Sequence, residues 1–238
     1  KLLTARAVFG FWPAASVGDD VALYTDDSRT EILDRVPFLR QQIRKREGSY
    51  NMCLADYVAP QDSGQSDYKP DYLGGFVVTT GIGIEEKLKE FQATFDDFND
   101  ILLKSLADRL AEAFAEHMHQ QVRREYWGYA PDEALSNEEL IRERYDGIRP
   151  APGYPACPDH TTKPALFELL DGTNNAGVTL TDSMAMFPTA SVSGYYFSHP
   201  KSQYFGIGKI AEDQLIDYAK RRDMDIEEAR RWLSSNIM

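Results

Sequence analysis

Between Gly147 and His160 the chain reads GIRPAPGYPACPDH, four prolines with one arginine, one cysteine and one histidine in fourteen residues. Each proline fixes its own φ, removes a backbone donor and biases the preceding residue toward extended geometry. This predicts a stiff, extended track over 150–158 whose carbonyls and amides need a partner, either protein or ligand. Such a backbone suits a flat polar ligand, because its polar groups are ordered before binding. Arg149, at the mouth of the track, carries a planar fork that matches a carboxylate or a phosphate. It would serve equally well to tie the preceding helix end to an acidic neighbour. Aromatic residues surround the track in the sequence pattern: Tyr154, Tyr195, Tyr196, Phe197, Tyr204 and Phe205. The residues by themselves lead to a rigid binding groove for a small polar molecule.

Other chemistries find less support. His117 and His119 are two apart on a predicted helix, so they point about 200° from each other and cannot share an ion. Cys157 and His160 have a usable spacing, but no second pair of ligands accompanies them, and no metal is expected. No G-x-S-x-G elbow occurs, and SVSGYY reads as a strand rather than a strand-to-helix turn. GGFVVTTGIG lacks both the P-loop lysine and the G-x-G-x-x-G spacing.

The elements that must position these residues begin with a β-rich third. ARAVFGFW, VALYT and TEILDRV read as strands, with SVGDD as a turn and Pro37 as a stop. FLRQQIRKREG fits a short helix or a loop. NMCLADYVA and GGFVVTTGI read as further strands, separated by a polar loop, PQDSGQSDYKPD. From Glu85 the period becomes helical: Leu102, Leu106, Leu110, Ala113, Phe114, His117 and Met118 recur at three- and four-residue steps and predict one buried face of a long helix. Glu112 lies about 120° from the middle of that face, on a flank where it either lines a groove or is solvated. Ser136 and Glu139 form a capping box for a short helix ending at Asp146-Gly147. KPALFELLDG predicts another, with Gly172 past its end. SMAMF, SVSGYYFS and SQYFGIGKI read as strands, and AEDQLIDYAKRRD and DIEEARRWL as two closing helices. Strands, helices, then both again without strict alternation predict an α+β fold with an antiparallel sheet, in one domain over 1–238.

The 238 residues suffice for a sizeable core, and 42% hydrophobic with 27% charged residues is an ordinary globular balance. A net charge of −12 disfavours nucleic acid as a partner. No apolar run reaches the roughly 20 residues of a membrane span. Two cysteines suit a reducing cytoplasm. Lys1 followed so soon by AVFGFW reads as the interior of a longer polypeptide.

RPAPGYPACPDH closely resembles the signature of the activation domain of cobalamin-dependent methionine synthase. GFWPA, LADYVAP, KSLADRLAEAFAE, YWGYAP, LSNEELIRERYDGIRP, SVSGYYFSHP and SQYFGIGKI resemble the same domain in its usual order, so the likeness runs along the whole chain. The resemblance implies a C-shaped α+β module with flanking helices that binds S-adenosylmethionine. It presents that ligand to cobalamin held by a neighbouring domain, so that inactive cob(II)alamin is remethylated with an electron from flavodoxin or a flavoprotein reductase. The chain would thus be part of a methyltransferase acting on homocysteine, and would not complete the reaction alone.

By the same resemblance Arg149 holds the ligand's carboxylate, and Gly153, Tyr154, Pro155 and Ala156 cradle the ligand. Tyr204 and Phe205 add a further contact, Glu112 is a groove carboxylate and Glu143 a second of that kind. The alternative is a free-standing S-adenosylmethionine-binding module acting with a separate cobalamin protein. One departure stands out: the family's upstream IDWTPFF-like motif, with its ligand-binding aspartate, does not occur here. The chain therefore reads as lacking the N-terminal part of the domain, and weak ligand binding is expected.

Overall fold

The computed structural model describes residues 3–61 and 69–238. Most of the expected polar loop over 60–71 lies outside them. The chain sorts into two compact units, one formed by Lys1–Gly10, Gly75–Asn137 and Lys163–Gly194, the other by Phe11–Gly74, Glu138–Thr162 and Tyr195–Met238. The strands β1 (Thr4–Val17), β2 (Asp20–Tyr24), β3 (Ile32–Pro37), β4 (Asp71–Ile82) and β7 (Ser191–Tyr196) form a sheet in the order β3-β2-β1-β4-β7. β1 pairs with β2, and β2 with β3, antiparallel. The α+β class with an antiparallel sheet and flanking helices is therefore as expected.

In the second unit, Val17 pairs with Asp20, which leaves Gly18-Asp19 as a two-residue hairpin loop. Gly18 has φ 63°, the left-handed conformation such a loop favours. Ser16 and Val17 thus belong to the strand rather than to the turn. NMCLADYVA is no strand: Leu54–Tyr57 form a 3-10 turn. Asp56 accepts the Cys53 amide at 3.0 Å and both Asp19 and Asp56 pair with Arg40, so local side-chain bonds outcompete a ladder. SQYFGIGKI is also irregular, for the Ile207 amide donates to the Pro155 carbonyl at 2.8 Å instead of to a strand. Helices α6 (Glu212–Arg221) and α7 (Ile226–Trp232) close the chain as expected. They bury Leu215, Tyr218, Ala219 and Ala229 with Leu39, Ile207, Ile210 and Leu233. The short α3 spans Asn137–Ile141 and ends before Asp146-Gly147, with Glu143 at φ 52° in the turn that follows.

In the first unit, α1 (Ile84–Ala93) and α2 (Asp97–Gln121) carry the helical pattern. The expected buried face of α2 is wrong. Its inward residues are Leu103, Ala107, Ala111, Ala115 and His119, whereas Leu102, Leu106 and Leu110 are 42%, 50% and 48% exposed. The reason is close approach: the Thr80 hydroxyl on β4 donates to the Ala107 carbonyl at 2.7 Å, which only a small-residue face permits. α4 (Lys163–Leu170) ends before Gly172, as expected; Gly172 then opens a further short helix, α5 (Gly172–Ala176), and Asp171 between them takes a positive φ, 45°. SMAMF reduces to β6 (Met186–Phe187), paired with β5 (Thr179–Leu180). Among the described residues no helix is long and apolar enough to cross a membrane.

Candidate functional site

The proline track is held from several sides within the second unit. At its start Ile148 and Phe197 exchange both backbone bonds at 3.0 Å, and the Tyr195 amide donates to the Pro150 carbonyl at 2.9 Å. At its tip the Gly153 amide donates to the Cys157 carbonyl at 2.7 Å, and the Cys157 amide returns to Tyr154 at 2.9 Å. The track is thus a rigid loop tied to Phe197, Tyr195 and Ile207 along its length and closed on itself at the 153–157 turn, its apex.

Arg149 is half-buried where the track leaves the sheet. Its Nη1 donates to the Tyr145 hydroxyl at 2.8 Å, and its amide donates to the Tyr204 hydroxyl at 3.0 Å. The fork is therefore oriented by a buried tyrosine, and Tyr204, 55 residues away in the chain, is brought to the same spot. Phe205 packs against the α6–α7 core and lies edge-on to Tyr57, ring centroids 6.4 Å apart. Ala156 is buried, while Gly153, Tyr154 and Pro155 face solvent. Gly153 has φ 98°, and a Cβ there would run into the His160 ring. A cavity of about 490 Å³ lies against the apex, lined by Gly153, Tyr154, Pro155, Pro158, His160 and Trp232 among others. Its size and aromatic walls fall in the ordinary range for small-molecule sites.

Arg149, Gly153–Ala156, Tyr204 and Phe205 therefore belong to one compact unit. Glu112 belongs to the other, exposed on α2, where with Asp108 one turn earlier and Thr189–Val192 it lines a cavity of about 320 Å³. Glu143 is exposed in the turn after α3. Tyr145, His160 and Trp232 were not singled out for the site from sequence. Trp232 reaches the site through tertiary packing. Tyr145 stands four residues before Arg149 and His160 lies in the same proline-rich stretch, so for these two proximity in sequence is the signal.

Two thiols sit in the second unit, and neither is reactive in character. Burial pushes Cys53 up to about 12 and raises Cys157 as well, with the Asp159 carboxylate adding to the effect on Cys157. Cys157 thus serves as a small apolar filler under the track.

A family model described as "Vitamin B12 dependent methionine synthase, activation domain" matches residues 1–223. A solved structure described as "Crystal Structure of the MetH Reactivation Domain bound to AdoHcy" is 53% identical, with a TM-score of 0.95; the match covers 99% of this chain and 71% of that one.

Proposed function

Because the chain belongs to the vitamin B12 dependent methionine synthase activation-domain family, we propose that it binds S-adenosylmethionine and presents the sulfonium methyl to cobalamin carried by a neighbouring domain. When bound, S-adenosylmethionine supplies an electrophilic methyl group that restores methylcobalamin once an electron, from flavodoxin or a flavoprotein reductase, has reduced the oxidised cofactor.

This chain's residues bind and orient. Arg149 meets the ligand's carboxylate with a fork already aimed by Tyr145. The apex at Gly153–Ala156 offers preset backbone groups, and Tyr154, 57% exposed, covers the ligand's edge. Tyr204 and Phe205 close the same side, Glu143 is a groove carboxylate of the same unit, and Glu112 is a groove carboxylate carried by the first unit. In-line methyl transfer depends on positioning and exclusion of water more than on proton transfer, which fits a site without an acid–base pair. The fit to a nucleoside-like ligand rests on the glycine apex and on the aromatic cavity beside it.

The observation that carries this reading is the oriented arginine at the mouth of a rigid, backbone-lined track. Calorimetric titration with S-adenosylmethionine and S-adenosylhomocysteine tests it. Arg149→Ala should weaken binding by about ten- to a hundredfold, the usual worth of a charged hydrogen bond, with circular dichroism unchanged. Arg149→Lys should recover only part of the loss, since an ammonium cannot reproduce the fork. Equal affinities for parent and Arg149→Ala would overturn the assignment.

A further inference from the structure

The residue that fastens the track is neither a proline nor the arginine. Asp159 is 2% exposed, yet its carboxylate is heavily bonded. It accepts from the Thr161 amide and the Thr161 hydroxyl, both at 2.7 Å, and from the Tyr218 hydroxyl at 2.7 Å. The Arg222 Nε stands 3.8 Å away, and Arg222 Nη2 donates to the Thr161 carbonyl at 2.8 Å. A buried carboxylate survives only when its oxygens are satisfied in this way. Tyr218, itself 1% exposed, lies on α6, and Arg222 caps the end of that helix. The bond between residues 59 apart is thus a tertiary tie from α6 to the track.

The neighbours of Asp159 in the chain are Pro158 and His160, and both line the cavity at the apex. The His160 ring packs so closely beneath Gly153 that no Cβ fits between them. The anchored Asp159 carboxylate restrains the backbone at His160, the next residue, and with it the position from which the ring packs beneath Gly153. A continuous line of packed groups runs from α6 through Asp159 and His160 to Gly153.

We propose that Asp159 and His160 are positioning residues for the bound ligand: Asp159, held by Tyr218, Thr161 and Arg222, braces the His160 ring against Gly153 and so sets the shape of the apex that receives S-adenosylmethionine. The proposal rests on the function proposed above and adds to it which residues hold the bed in place. Neither side chain needs to touch the ligand.

The test combines affinity with amide hydrogen exchange on the full chain. Tyr218→Phe removes one bond to Asp159 and keeps the ring. His160→Ala removes the brace itself. Both should weaken S-adenosylmethionine binding by about three- to tenfold. Both should also speed exchange at the Gly153 and Cys157 amides, whose bonds close the apex, while amides in β2 stay protected. Val21→Ala, a buried cavity in β2, is the control: it should lower the melting temperature yet leave affinity and apex exchange unchanged. The proposal is overturned if Tyr218→Phe and His160→Ala keep parental affinity and apex protection, or if Val21→Ala loses as much affinity as they do. Should the parent fail to bind S-adenosylmethionine, the proposed function falls. The exchange rates then still decide whether Asp159 and His160 brace the apex.

Discussion

Helix α2 in the first unit and the proline track in the second each carry a proposed site residue, Glu112 and Arg149, and the two segments are held by opposite means. The helix is regular. Its backbone bonds are internal, and it is seated by a row of alanines four residues apart, Ala107, Ala111 and Ala115. The track has no repeating structure, so every bond that holds it is particular: Ile148 to Phe197, Pro150 to Tyr195, Pro155 to Ile207. Each segment also ends on one buried charge. Beyond α2 the chain widens into a π-turn at Val122–Tyr126, where Arg123, fully buried, takes Glu133 through Nε at 2.6 Å and Nη2 at 2.8 Å. The track ends on Asp159. A regular element can tolerate errors along its length but depends on its seat and its end. An irregular one depends on each tie.

The largest expected effect breaks the helix side of that comparison. Glu133→Ala strips the bidentate partner from a buried guanidinium that also stands 3.9 Å from Glu116. Unpairing a buried charge costs about 3–5 kcal/mol, so the melting temperature should fall steeply, while ligand affinity in the folded fraction changes little. A melting temperature equal to the parent's would show that the π-turn is not fastened there.

A smaller effect tests the seat. Ala107→Leu places a branched side chain where the Thr80 hydroxyl of β4 reaches the α2 backbone, and overpacking of this kind costs about 1–3 kcal/mol. Leu106→Ala, on the half-exposed face, should cost about 0.5 kcal/mol or less. Chemical denaturation of the two variants side by side checks the pair. The opposite ranking would return the large apolar residues to the role of buried face.

These two variants also mark where the sequence could be read and where it could not. Helical period placed α2 correctly, because 3.6-residue spacing is a local property. The same spacing points to the wrong face, because the largest apolar residues, Leu102, Leu106 and Leu110, are not the buried ones. The inward row at Ala107, Ala111, Ala115 and His119 is visible as small residues four apart, but its meaning depends on a partner, the Thr80 hydroxyl, 27 positions away. The track was legible in the opposite way. Proline chemistry announced a stiff, non-repetitive segment, and Arg149 stood out at its mouth. Tyr145, four residues before Arg149, is close in sequence but carries no motif that marks it as the group that aims the arginine. Nothing local points to Tyr218 as the group that holds Asp159. SQYFGIGKI misled for the same reason: its alternation is strand-like, yet its bonds are made to the track.

The smallest effect at neutral pH concerns the thiols, which lie only in the second unit. An unfolded thiol titrates near about 8.5, whereas burial holds Cys53 at about 12 and raises Cys157 too. Above the unfolded value the unfolded chain sheds these protons and the folded chain keeps them. Fewer protons on the unfolded state mean that stability falls as pH rises. The stabilising effect is therefore complete below about pH 8.5 and declines from there toward pH 12, with a limiting slope of about 1.4 kcal/mol per pH unit for each thiol. Tyr195 and Tyr218, both raised chiefly by burial, steepen the decline above about pH 10. Denaturation midpoints should consequently be flat from pH 7 to 8 and fall between pH 9 and 10. The double variant Cys53→Ala, Cys157→Ala should flatten that second interval, because only the tyrosines remain to titrate. In the native parent neither thiol should react with a chromogenic disulfide at pH 8 until denaturant is added. A fast-reacting thiol in the native chain would mean that the underside of the track is open to solvent, and that its rigidity comes from the prolines alone.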